Sequence, residues 1–289
     1  MRGRNRSVTV AYLGPDGSYS SLAAHRRFGT DVGYRPQRTI GDVFLVVHRK
    51  ECDYGVVPVE NSTDGRIIDT MVAITRYRTT VCAEIGLRVR HALMAAGPME
   101  TVREIHSKPQ AISQCREWLA THCADIPLYP AESTTAAVLL AEEQPGVAAI
   151  APEGAAGLRG LNVLAREIQD DPENQTRFLV LGEERPAPSG DDRTLVLLKL
   201  PHRCGSLADA LGILRAFQIN LSRIESFPVR GSPEHYWFCI EFDGHRDQPH
   251  CHSVLESLKL FATEMFLAGS FPVNREDVEN PVPESTMNG

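Results

Sequence analysis

No Cys-x-x-Cys pair occurs among the seven cysteines, which fall at 52, 82, 115, 123, 204, 239 and 251. An odd, scattered set excludes a disulfide framework and fits a reducing cytoplasm, with most thiols acting as small buried apolar groups. Gly-x-Gly-x-x-Gly and P-loop motifs are missing, so no nucleotide cofactor, and no cofactor of any kind, is expected. A basic surface is missing too: 30 Lys and Arg face 37 Asp and Glu, a net charge of -7, which argues against a nucleic-acid partner. The short run Arg2, Arg4, Arg6 reads as a solvated tail. Val8 to Leu13 is too short for a signal core and runs into Gly14-Pro15. No secretory signal and no membrane span is therefore expected, and the cytoplasm is the expected location. His245, His250, Cys251 and His252 lie close in sequence, but their spacing fits no familiar zinc pattern, so no metal is expected.

What is present is 289 residues with 42% hydrophobic content, enough for about two domains. Up to residue 182, short apolar runs alternate with helical patterns. Strands are expected at 8–13, 54–59, 80–89, 91–95, 125–129, 147–150 and 178–181. Helices are expected at 18–28, 40–49, 109–122 and 134–143, with a short one after Pro152. Such alternation implies parallel sheets with crossover helices. Glu183 to Asp192 (EERPAPSGDD) has linker composition. Beyond it the order becomes βαββαβ, the split, ferredoxin-like plan, over residues 193–274. The acidic, proline-containing tail 275–289 is expected to be disordered.

Three strands end in hydroxyl-rich turns: Gly14-Pro15-Asp16-Gly17-Ser18-Tyr19-Ser20, Glu60-Asn61-Ser62-Thr63-Asp64-Gly65, and Glu132-Ser133-Thr134-Thr135. A fourth polar stretch, Asn174-Gln175-Thr176-Arg177-Phe178, opens a strand. Ligands of open α/β sheets sit beyond strand carboxyl ends, where helix N-termini favour anions. Taken singly, Ser18, Ser20, Ser133 and Thr134 are ordinary N-caps; four such sites in one region favour a shared anion cleft. Glu60 would repel an anion and is read as bracing the Asn61-Ser62 turn. Lys108 is either a ligand cation or solvated. Cys115 is read as packed. Strand alternation sets Thr176 and Phe178 on one face and Arg177 on the other.

Together these segments resemble the prephenate dehydratase family with a C-terminal ACT domain. The match runs through GPDGSYS (14–20), VPVENSTDG (57–65), SKPQAISQC (107–115), STTAA (133–137), AAIAP (148–152) and NQTRF (174–178), then LPHRCGSLADAL (200–211) and IESFP (224–228). The resemblance implies an α/β fold: a two-lobed, periplasmic-binding-protein-like catalytic region over 7–182, a linker at 183–192, and a ferredoxin-like ACT domain over 193–274. It implies conversion of prephenate to phenylpyruvate with loss of carbon dioxide and water. It makes Thr176 the catalytic residue, with Ser20, Asn61, Ser62, Ser133, Thr134 and Arg177 lining or supporting the substrate. It assigns Gly205, Ser206, Leu207, Glu225 and Ser226 to an effector site for phenylalanine, in a homodimer or homotetramer. The family's usual Glu-Ser-Arg-Pro reads Glu225-Ser226-Phe227-Pro228 here, and Gly-Ala-Leu reads Gly205-Ser206-Leu207, so the effector motifs depart from the family pattern at Phe227 and Ser206. Arogenate dehydration, a decarboxylase, a solute-binding protein and a catalytically dead amino-acid sensor are the alternatives.

Overall fold

A computed structural model of the chain describes residues 7–63, 65–229 and 231–274. The Arg2–Arg6 run and the tail 275–289 lie outside the described residues. From the N-terminus, β1 (Thr9–Leu13), α1 (Tyr19–Phe28), β2 (Gly33–Gln37), α2 (Ile40–His48), β3 (Tyr54–Asn61), β4 (Gly65–Arg66), α3 (Ile68–Tyr77) and β5 (Val81–Arg88) build a first lobe. The chain then crosses to a second lobe: β6 (His91–Ala95), β7 (Glu104–Ser107), α4 (Pro109–Ser113), α5 (Arg116–His122), β8 (Leu128–Pro130), α6 (Thr134–Glu143), β9 (Val147–Pro152), α7 (Gly154–Arg159) and β10 (Asn162–Ala165). It returns through β11 (Gln175–Leu181), which inserts between β3 and β5 and is antiparallel to both.

The first sheet has the order β2-β1-β3-β11-β5, with β4 beside β3; the second has the order β10-β6-β9-β7-β8. Both are mixed, not parallel as the alternation implied. The reason is the double crossing: a strand that returns from the other lobe enters its sheet from the opposite end. β2 and α3 are not among the elements expected from sequence, although α3 buries Met71 and Ile74 at helical spacing. The helix expected at 109–122 breaks at Gln114-Cys115, where the Gln114 carbonyl accepts the Asp170 N–H instead of continuing the helix (2.7 Å).

The remaining elements are β12 (Asp192–Lys199), α8 (Ser206–Ala216), β13 (Leu221–Val229), β14 (Ser232–Asp243), α9 (Pro249–Phe261) and β15 (Glu264–Pro272). They form a four-stranded antiparallel sheet in the order β13-β14-β12-β15, the βαββαβ plan. Alternation along β14 decides what each face meets. Phe238, Ile240 and Phe242 face α8 and α9, while Trp237 and Cys239 join a core with Val57, Ile74, Leu179 and Leu181 of the first lobe. The third sheet is thus roofed by its helices on one side and docked on the first lobe by the other. The docking is close: a Cβ placed on Gly269 of β15 would collide with the Val81 carbonyl of β5.

Candidate active site

The pairings bring the chemistry-bearing turns together. In the first sheet the carboxyl ends of β1, β3 and β5 and the amino end of β11 share one edge. In the second, the carboxyl ends of β7, β8 and β9 and the amino end of β6 share one edge. The crossing segments join these edges, so the two edges face each other. Tyr19 in the first turn donates from its hydroxyl to the Arg90 carbonyl (2.7 Å), and Thr135 at the start of α6 donates to the Asp16 carbonyl (3.3 Å). His91, buried at the crossing, contacts Gln114 through Nε2 (3.0 Å); burial lowers its pKa, which keeps it neutral.

At the centre is a polar knot joining the end of β3 to the start of β11. Asn61 Nδ2 donates to Asn174 Oδ1 (2.9 Å), to the Gln175 carbonyl (3.2 Å) and to Thr176 Oγ1 (3.0 Å). Asn61 Oδ1 accepts the Thr63 N–H (3.0 Å). Ser62 Oγ donates to Asn174 Oδ1 (3.1 Å) and accepts the Gln175 N–H (2.9 Å). Asn61, Asn174 and Thr176 are all buried. Because Thr176 Oγ1 accepts from Asn61, its own proton is left to donate elsewhere. Asn174, prominent in sequence but assigned no role there, is the acceptor that holds both Asn61 and Ser62.

Ser133 caps α6, accepting the Ala136 N–H (3.0 Å), and Thr134 is the first residue of the helix. The free N–H groups of this first turn and the helix dipole lie at the facing edge, a natural anion seat. Ser20 is buried on the first turn of α1, behind the Ser18 cap. Lys108 is exposed, at the start of α4. Cys115 is fully buried, and burial, with the Asp170 charge adding to it, pushes its thiol up to about 12, so it is no nucleophile at neutral pH.

Two sequence expectations need correction. Arg177 does not reach the cleft. It points to the opposite face of β11, where Nε donates to Glu84 (2.6 Å) and Nη1 to Glu241 of β14 (2.9 Å). Strand alternation next to Thr176 is the physical reason. Glu60 does not brace its own turn: its carboxylate forms an ion pair with Arg223 of β13 (2.9 Å), while the Asn61 amide does the bracing. Burial would raise the Glu241 pKa, but Arg177 first, then Arg66 and Arg223, hold it down at about 2. Burial likewise works against the Arg177 charge, yet Glu241 and Glu84 outweigh it and keep the guanidinium above its ordinary value.

Around the start of α8, a cavity of about 260 Å³ is lined by Gly205, Ser206 and Leu207 together with His202, Tyr236 and Phe238. Ser226 pairs with Phe238 on that side of the sheet. Glu225 pairs with Cys239 on the other side, where it meets Arg66 (3.5 Å), so Glu225 is not brought to the cavity. Phe227, which stands where the family usually has Arg, is buried in the core shared with the first lobe.

Two α/β lobes joined by two crossings set uncharged donors and a capped helix N-terminus at their facing edges, an arrangement suited to holding a small anion between them. Residues 10–186 match the family model for prephenate dehydratase. A bifunctional chorismate mutase/prephenate dehydratase of Stutzerimonas stutzeri is 36% identical over 267 residues, 92% of this chain and 73% of that protein. Prephenate dehydratase from Arthrobacter aurescens, solved in complex with L-Phe, superposes with a TM-score of 0.83 at 30% identity, covering 92% of this chain and 90% of that one. GqqA, described as a novel type of quorum quenching acylase, superposes with a TM-score of 0.84 at 26% identity over 92% of this chain and 98% of that one. Fold alone does not select between chemistries. The chain belongs to the prephenate dehydratase family, the lyases that act in aromatic amino acid biosynthesis.

Proposed function

We propose that Thr176 assists departure of the prephenate ring hydroxyl in the cleft between the lobes. The C–C bond pair of the departing ring carboxylate flows into the ring as carbon dioxide leaves. The C–O bond pair leaves with the hydroxyl oxygen, and a solvent proton completes the water. The observation that carries this reading is the 3.0 Å bond from Asn61 Nδ2 to Thr176 Oγ1. It fixes the hydroxyl as an acceptor from the protein and so aims its proton outward. A Thr hydroxyl is too weak an acid to give that proton up outright; its contribution is a preorganised hydrogen bond to developing negative charge. Ser133, Thr134 and the α6 N-terminus supply uncharged donors for a carboxylate, with Ser20 and Ser62 supporting the turns. Weak, charge-free grips suit a group that must leave as neutral gas.

Conversion of prephenate, followed as phenylpyruvate absorbance in alkali, tests the assignment. Thr176→Ala is expected to lower kcat by about 10²–10³-fold with KM nearly unchanged; a variant that keeps wild-type kcat overturns it. The same assay with arogenate separates the two substrates.

The catalytic region is taken as residues 7–182, joined through 183–192 to a regulatory ACT domain at 193–274 of a cytoplasmic homo-oligomer. The βαββαβ order, the cavity beside Gly205-Ser206-Leu207 and the L-Phe complex of the Arthrobacter relative support a phenylalanine effector site there. Titration calorimetry is expected to detect phenylalanine binding; active enzyme without binding overturns this part.

A further inference from the structure

Behind Thr176, on the face turned away from the cleft, eight charges meet where the first lobe joins the third sheet. Arg66, Arg177, Glu60 and Glu84 come from the lobe; Arg193, Arg223, Glu225 and Glu241 come from the third-sheet module. Each side thus brings two cations and two anions. Glu241 is the hub. It has no exposed surface and lies 2.9 Å from Arg177, 3.3 Å from Arg66, 3.5 Å from Arg223 and 3.7 Å from Arg193.

Two further observations bear on what the hub does. First, the ladder between β11 and β3 shifts register between Arg177 and Phe178. Val59 of β3 is the extra residue there, whereas the pairing of β11 with β5 stays in register from Gln175 to Val180; backbone pairing fixes the Thr176 end less firmly on its β3 side only. Second, the lobe's own anchor for Arg177 is divided: Glu84 also serves Arg193 (3.0 Å) and the Asn274 N–H (3.0 Å). In the folded chain Glu84 is therefore a divided anchor, and Glu241 is the second carboxylate that holds Arg177.

We propose that Glu241 is a positioning residue for Thr176, acting through Arg177, so that the C-terminal module completes the catalytic strand of the first lobe. Asn61 holds the Thr176 hydroxyl from the cleft side, and the Arg177–Glu241 pair holds the adjacent backbone from behind. The inference rests on Thr176 being the catalytic residue.

Glu241→Asp is the decisive variant, made in the full chain. It keeps the buried negative charge but withdraws the carboxylate by one methylene from Arg177. Its kcat on prephenate is expected to fall about tenfold or more, with KM within about twofold and folding retained. Arg193→Gln, which removes a cation whose ion-pair partners among the described residues are Glu84 and Glu241 and not β11, is expected to lose stability yet keep kcat within about twofold. Combining Glu241→Asp with Arg177→Gln is expected to add little to the loss from Arg177→Gln alone. Wild-type kcat in folded Glu241→Asp, an equal kcat loss in Arg193→Gln, or multiplying losses each overturn the inference. The Thr176 methyl resonance provides a readout independent of substrate: it is expected to move in Glu241→Asp and stay in place in Arg193→Gln. The reverse pattern overturns the inference. Failure of the wild-type enzyme on prephenate would remove the substrate reading and leave this comparison intact.

Discussion

Asn61 spends one amide nitrogen on three acceptors and its oxygen on the next turn. Replacing it with Ala removes the donor that orients Thr176 Oγ1 and strips a partner from buried Asn174. Asn61→Ala is expected to lower kcat about tenfold to a hundredfold, because the hydroxyl then rotates freely. It is also expected to lower folding stability by about 1–3 kcal/mol through the unsatisfied amide. Steady-state kinetics and urea denaturation check the two effects separately. Most of this knot was legible in sequence, since Asn61, Ser62, Thr176 and Asn174 lie in two short motifs. The direction of Arg177 was legible from alternation, but its partners were not. Glu84 and Glu241 each stand as a single carboxylate inside an apolar run, Cys82-Ala83-Glu84-Ile85 and Cys239-Ile240-Glu241-Phe242. A lone charge on a buried strand is the signal that could have found them.

Helix α6 shows how an element serves the site. Its apolar face packs on β9 through Ala137, Val138 and Ala141, and Ser133 closes its first turn at the lobe edge. Ser133→Ala is expected to cost about 1 kcal/mol and to raise the KM for prephenate as the first turn frays, with kcat less affected. Thermal melts and initial rates measure both. The cap was readable from Ser-Thr-Thr before an apolar run. The break between α4 and α5 was not, because it depends on Asp170, more than fifty residues away, claiming the Gln114 carbonyl. The mixed order of both sheets was hidden for a similar reason: it follows from the chain crossing twice between lobes.

The whole molecule is joined by the interface between the first lobe and the third sheet, where apolar contact surrounds a buried, charge-matched cluster. Glu241 is held at about 2, below the ordinary carboxylate value of 4.5. Its stabilisation is therefore fully present above about pH 4.5 and lost as pH falls toward 2, because the unfolded chain takes up the proton first. The shift corresponds to about 3 kcal/mol. The stability difference between wild type and Glu241→Gln is expected to be flat above pH 5 and to shrink below 4.5, read by denaturant titration at each pH. A difference that stays constant down to pH 3 would contradict the pairing.

Short-range pattern was enough to show where strands, caps and donor-rich turns lie, because periodicity, N-cap chemistry and strand alternation act over a few residues. Folding in three dimensions settled which face of β11 meets which partner, and that the third sheet packs its open face on the first lobe. Contacts such as that of Arg177 with Glu241 join residues more than sixty positions apart, and their pairing arises only once the sheets dock.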